Sequence, residues 1–401
     1  MQYDNLFDLK KYPRFPAHGF EPTDDGPCLC LSGEKYINCC KSKISESKIL
    51  KMRGDYDDGL DELFGGKESK LPSRKLAAKV IKKKKLGYCM ASDIFQDCSC
   101  MNNSTEADIR YSHTLSRGFV LKNLCNSNND MVTYINDHIM LNDKTIELSD
   151  RFSEIPIKEA SVTTSFCKKH DDYLFEDIEK DDKRAFTGNS FIQNIEYALK
   201  AVTFEMFEAV MYIYYLASLV EQNPNVVYDN DGKSRYLVDY CTKLIRLFEM
   251  KLLSDRIISE IKAYKDTGVE SKLETIAVRI KKHSRVEYSL AEVFEDDYFL
   301  NVVNAPDPYI IFSFYPDIYE NDTHLKNCVL RLKHKQNERT LREFTDYVLS
   351  YSRNIYFNSD MIKRMQPSDL EKLYVVHREG FQSLKSEQTI FSTRMVSKLY
   401  T

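Results

Sequence analysis

Long apolar runs are missing from this 401-residue sequence. The longest, "AVMYIYYLASLV", is bounded by Glu208 and Glu221 and falls short of the roughly 20 residues that a bilayer-spanning helix needs. The opening "MQYDNLFDLKKYPRF" carries no apolar core of the kind found in a secretory leader. These absences predict a soluble, cytoplasmic chain with no membrane partner. An excess of one charge is missing too. With 57 Lys and Arg against 61 Asp and Glu, no global field draws the chain to nucleic acid, so any such attraction is local. Glycine and proline are scarce, at 13 and 11, while tyrosine and phenylalanine number 26 and 22, which argues against long disordered tracts. There is no glycine-rich phosphate loop, no nucleophile elbow and no internal repeat, so the common nucleotide-binding, hydrolase and solenoid plans are excluded.

What the sequence does have is cysteine, eleven in all. In a reducing compartment, clustered cysteines are metal ligands more often than disulfides, and an odd total fits ligands mixed with buried thiols. Four of them fall within thirteen positions of "PCLCLSGEKYINCCKSKI": Cys28, Cys30, Cys39 and Cys40. Four thiolates suit tetrahedral Zn²⁺, and Ser32 and Gly33 permit the turn that brings the two pairs together. The stretch resembles the SEC-C motif, through Pro27, Cys28, Cys30, Ser32, Gly33, Tyr36, Cys39 and Cys40. That resemblance covers about twenty residues, with Leu31 where the family usually has Gly. The motif ends the preprotein translocase motor ATPase as a docking device, so the resemblance implies an attachment or nucleic-acid-proximal module and no reaction.

An acidic, linker-like segment, "RGDYDDGLDE" at 53–62, is followed by a basic one. Lys67, Lys70, Arg74, Lys75 and Lys79 lead into the run Lys82, Lys83, Lys84 and Lys85. The spacing of Leu71, Lys75, Lys79 and Lys82 predicts a helix with a positive face that ends in this run and suits DNA or RNA phosphates. A solvated helix end whose lysines complement the helix dipole accounts for the same pattern.

A second ligand group follows. "GYCMASDIFQDCSC" offers Cys89, Cys98 and Cys100, and "TTSFCKKHDD" offers Cys167 and His170 as Cys-x-x-His at a helix start. A knuckle pair joined to a helix-borne pair is the ligand arrangement of a treble-clef zinc site. Cys89 and Cys98 are the first choice for the knuckle, with Cys100 in reserve.

Between these pairs, "IRYSHTLSRGFVLKNLC" has a strand-like "DIRY" leading to His113, then a turn with Arg117 and Gly118. This resembles the first half of an HNH (ββα-metal) nuclease. The resemblance implies His113 as the base acting on water and Asp171 as a ligand for Mg²⁺ or Mn²⁺; Arg117, in the turn, is a candidate contact to nucleic acid. Ser112 stands where many members have Asp, and Thr114-Leu115-Ser116 replaces the usual Ile-Pro. The middle Asn of the family falls on Asn123, Asn126, Asn128 or Asn129, and Asp172 is either a further ligand or a helix-start charge. The stretch is also similar to a group of bacterial proteins of unassigned activity that pair Ser-His-Thr with Phe-Cys-x-x-His-Asp-x-x-Leu-Phe. His113 has a competing reading as a buried residue bracing the zinc fold.

From Gly188 onward the spacing predicts helices over 190–220 and 235–266, a short helix over 272–282, strands in "RVEYSLAEV", "DYFLNVVNA" and "PYIIFSFYP", and helices in "ERTLREFTDYVLSYSRNIYF" and "PSDLEKLYVVHREG". Cys241 and Cys328 fall on apolar faces as core thiols. The expected fold is α+β: small N-terminal zinc modules and a larger, mostly helical C-terminal domain with a few antiparallel strands. Its parts are a SEC-C region at 1–50, linker and basic helix at 51–87, an HNH-like treble clef at 88–185 and a helical domain at 186–401. Two structural Zn²⁺ sites are expected. The expected activity is a metal-dependent endonuclease or nuclease-derived effector acting on DNA or RNA, with a place in bacterial antiviral defence. The alternative is a non-catalytic zinc protein that binds nucleic acid or a protein partner, and a partner-dependent component is compatible with either. The two part on geometry: a base must face a solvent cleft within reach of Asp171, whereas a brace is packed beneath the zinc.

Overall fold

The computed structural model describes residues 38, 89–92, 94–95, 98, 109–125, 130–135, 151–180, 186–222, 235–280, 286–294, 298–304, 307–317, 323–379 and 399–400. Cys28, Cys30, Cys39, Cys40, Lys79, Lys82, Lys83, Lys84, Lys85 and Cys100 lie outside the described residues. The chain divides into two compact units, 1–85 with 206–252 and 86–205 with 253–401. In the first, the described backbone is helical. The second holds every described strand.

The described elements begin with β1 (Ser112–His113), a π-helical turn (Arg117–Leu121) running into α1 (Lys122–Leu124), β2 (Met131–Ile135), β3 (Phe152–Pro156) and β4 (Val162–Thr163). Two short helices follow, α2 (Lys168–Leu174) and α3 (Glu176–Glu179), then two long ones, α4 (Phe191–Gln222) and α5 (Arg235–Thr267). Next come β5 (Glu274–Arg279), β6 (Tyr288–Phe294), β7 (Tyr298–Val303) and β8 (Tyr309–Phe314). The described chain continues through α6 (His324–His334), α7 (Glu338–Tyr351), β9 (Ile355–Asn358), α8 (Ser359–Arg364) and α9 (Pro367–Glu379).

Seven strands form one antiparallel sheet in the order β3-β2-β9-β6-β7-β8-β5, and β1 pairs with β4 in a separate two-stranded ribbon. The fold is therefore mixed α and β with antiparallel sheets. Strands β6 and β7 are buried along their whole length, as strands covered on both faces must be. One face presents Tyr288, Leu290, Leu300, Phe312 and Phe357 to a core shared with Val329 of α6, Phe344 of α7 and Leu373 of α9. On the other, the Asn301 amide donates to the carbonyl of Tyr197 in the first turns of α4.

Two expectations are corrected. Of the helix expected over 272–282, the described residues 272–280 form none: Thr275, Ile276, Val278 and Ile280 favour extended backbone, and β5 pairs along its full length with β8. The helix expected to run to residue 357 ends at Tyr351. Beyond it the backbone N–H groups of Arg353 and Asn354 donate to the Glu292 carboxylate, and Ile355, Tyr356 and Phe357 fill the slot between β2 and β6. The sheet is consequently larger than a few strands, and β2 and β3, from the 88–185 segment, belong to it.

Candidate functional site

Cys89, Cys98, Cys167 and His170 converge. All four are buried, and their ligand atoms lie within 4.8 Å of one another. The first pair is brought together by a coiled turn, in which Ser92 N–H donates to Cys89 O, Ile94 and Phe95 N–H to Ala91 O, and Cys98 N–H to Phe95 O. The turn is pinned where Met90 N–H meets Ser165 O at 2.9 Å. The second pair sits on the first turn of α2, where Cys167 is the N-cap and spacing of three residues puts its thiol and the His170 ring side by side. His170 Nδ1 is 3.3 Å from the Sγ atoms of both Cys89 and Cys167. Metal bonds of about 2.0–2.3 Å in a tetrahedron set donor atoms roughly 3.3–3.8 Å apart, so the donor set and its spacing fit a bound metal ion such as zinc. The Phe95 ring packs on His170 at 4.5 Å between centroids and shields it.

Three thiols crowded together share protons unequally. The hydrogen bond from Cys89 draws the Cys167 thiol below its usual range, and that same bond, with burial, pushes Cys89 up. A cation at the centre would remove this conflict by taking every sulfur as thiolate.

Beside this cluster opens a cleft of about 140 Å³, lined among others by Tyr111, Ser112, His113, Arg117, Asp171 and Glu179. His113 is the last residue of β1, and its Nδ1–H donates to Ala160 O at 2.8 Å. That bond settles the tautomer and leaves Nε2 as the nitrogen able to accept a proton. Burial holds the imidazole down to about 4, assisted by the charges of Lys200 and Arg117 and opposed by the Ala160 bond. The ring is thus neutral at pH 7.

Asp171 directly follows His170 and is 2 % exposed. Ser112 Oγ donates to its Oδ1 at 2.5 Å, and Arg110 stands 3.7 Å from Oδ2 while pairing more closely with Asp172 at 2.5 Å. Burial raises the Asp171 carboxyl, against the pull of Lys200. Asp172 is thus engaged by Arg110 at the surface. Arg117 is exposed at the cleft and forms no ion pair among the described residues. Asn123 lies exposed on α1 and does not line the cleft.

Three contributors went unread in the sequence. Lys200, 2 % exposed on α4, donates to His113 O at 2.8 Å and to Glu179 Oε1 at 2.6 Å, with its Nζ 3.6 Å above the Phe175 ring. Glu179, the last residue of α3, also lines the cleft. Tyr111 was legible only as the neighbour of His113. Cys328 is a buried thiol remote in sequence from these groups, as a core cysteine should be. Among the described residues no helix is long and apolar enough to cross a membrane. Comparison with protein-family models, curated proteins and solved structures finds no match to the chain.

Proposed function

We propose that the chain is a zinc-stabilised, metal-dependent nuclease of the HNH type. One observation carries this reading: His113, with its tautomer fixed, and the buried Asp171 line one cleft beside the Cys89, Cys98, Cys167 and His170 cluster. Zinc on that cluster is structural, because four protein ligands leave no open position. It ties the turn at 89–98 to α2 and so holds Asp171 against the strand that carries His113.

In this reading His113 Nε2 takes a proton from a water, the water oxygen attacks the phosphorus of a phosphodiester, one ester P–O bond breaks, and the departing oxygen takes a proton from solvent water to leave as an alcohol. Ala160 keeps the ring oriented by accepting its other proton. Arg117 holds the phosphate. Asp171 and Glu179 are the carboxylates that would hold a divalent cation, since Mg²⁺ commonly needs only one or two protein carboxylates beside the substrate's own oxygens. Such a cation, when bound, would offset the charge that develops on the phosphoryl oxygens. The Cys28, Cys30, Cys39 and Cys40 group would hold a second zinc in a docking module, and Lys79 with Lys82, Lys83, Lys84 and Lys85 would add phosphate contacts. Antiviral defence in bacteria is the setting proposed for this activity.

The alternative, a zinc protein that binds nucleic acid or a protein partner without chemistry, draws on a different feature. The Asp171 carboxylate already has Ser112 and Arg110 as partners, as a purely bracing residue would. A cleavage assay on plasmid, single-stranded DNA and RNA with Mg²⁺ or Mn²⁺ separates the two. Wild-type cleavage that falls about a hundredfold or more in His113→Ala at unchanged zinc content supports the nuclease. Binding with no cleavage under either metal supports the alternative.

A further inference from the structure

We propose that the cleft receives an unpaired strand, with one nucleobase stacked on Tyr111 and the neighbouring phosphate on Arg117. The proposal rests on the nucleic-acid reading of the cleft and names the substrate class within it. Five large apolar or aromatic side chains are exposed among the described residues, and Tyr111, at 52 %, is the one among them that lines the cleft. Scattered exposed side chains need no explanation. An aromatic ring two residues before the base, at the mouth of a cleft that also holds Arg117, has a chemical reason to be there.

The cation arrangement points the same way. Arg110 spends its charge on Asp172, at 2.5 Å, while Arg117 has no ion pair among the described residues. The cleft therefore presents one exposed guanidinium, suited to a phosphate, beside one half-exposed ring. In an intact duplex the base faces are stacked inside and only sugar and phosphate reach a cleft of this size, so the ring would meet nothing flat. A single strand, loop or flipped nucleotide presents an open base face, and aromatic stacking of that face tolerates any sequence. On β1 and the residue before it, the chain advances on the order of 3.3 Å per residue. The stacked base would thus be held within about 7 Å, measured along the backbone, of the residue that acts as base.

The test is fluorescence anisotropy with labelled single-stranded DNA, single-stranded RNA and the matching DNA duplex, using the full chain carrying His113→Ala so that nothing is cut. Tyr111→Ala is expected to weaken single-strand binding about tenfold, the scale of one lost stacked base, while Tyr111→Phe stays within about twofold of the parent. Duplex binding should be weaker from the start and unmoved by either change. Equal losses on duplex and single strands, or no loss on single strands, overturn the proposal. If the His113-intact chain cleaves duplex and single strands alike, and Tyr111→Ala changes neither, the nuclease stands and the stacking role falls. If no nucleic acid is bound or cleaved at all, both readings fall together.

Discussion

The buried ammonium of Lys200 lies 2.8 Å from the main-chain oxygen of His113, so a residue on α4 holds the end of the strand that carries the proposed base. The same ammonium reaches Glu179 at 2.6 Å, so one side chain links the end of β1 to α3. Replacing it by Met keeps the length and removes the charge. Lys200→Met is expected to cost roughly 2–4 kcal/mol, from a carbonyl left without its donor and a carboxylate left without its cation, with the second part reduced because Glu179 keeps solvent access. Urea unfolding measures this, and cleavage should fall at unchanged zinc content. A variant as stable and active as the parent would mean that Lys200 does not hold the site.

Metal removal gives a second expectation. Cys98→Ser should lose about one equivalent of zinc per chain and lower the unfolding midpoint sharply, because binding energy at such a site is folding energy. Cys328→Ala, another buried cysteine, should leave the zinc content as it is. Elemental analysis beside thermal melts checks both, and equal zinc in Cys98→Ser and the parent would remove Cys98 from the ligand set.

How much of this was legible beforehand depended on how local the signal is. The convergence of Cys89, Cys98, Cys167 and His170 could be read because metal coordination dictates residue type and short spacing within each pair. Strands β6, β7 and β8 could be read from runs such as Tyr309 to Phe314, which are apolar, β-branched and bounded by turns. β5 could not, because Lys272, Arg279 and Lys281 give 272–282 the look of a solvated helix, and only pairing with β8 decides otherwise. Lys200 and Glu179 carry no motif. Their role exists only because α3 and α4 bring them to His113 across 87 residues in one case and 21 between themselves in the other.

The depressed His113 pKa sets a pH dependence. Its folded value of about 4 lies below the ordinary 6.5, so the unfolded chain takes up this proton first as the pH falls. The associated stability is complete above about pH 6.5 and is lost as the pH drops toward about 4. His113→Asn keeps a donor for Ala160 and cannot titrate. The stability difference between parent and variant should therefore shrink between about pH 7 and about pH 5, by less than the limit of about 3 kcal/mol that full burial would give. Comparing the two chains cancels the acid loss of zinc that they share. A difference independent of pH would show that His113 titrates normally.

The sheet also acts on the cleft, through a left-handed residue. Ser161 has φ 54, a conformation that costs a non-glycine residue energy unless its surroundings enforce it. Its N–H donates to the Tyr356 hydroxyl at 2.8 Å, and its Oγ meets the backbone of Leu115 through both N–H and carbonyl. Ala160, whose carbonyl orients His113, is the residue immediately before it. Tyr356 on β9 thus secures the turn that fixes the tautomer of the proposed base. Tyr356→Phe leaves the ring packing and withdraws one acceptor from a buried N–H, a loss of about 1–3 kcal/mol in urea unfolding. Because the freed turn is the one presenting Ala160, kcat for cleavage should fall by about tenfold with little change in KM, since the ring no longer stays aligned for proton transfer. Loss of stability with kcat intact would confine Tyr356 to the core and leave the orientation of His113 to Lys200 and Ala160 alone.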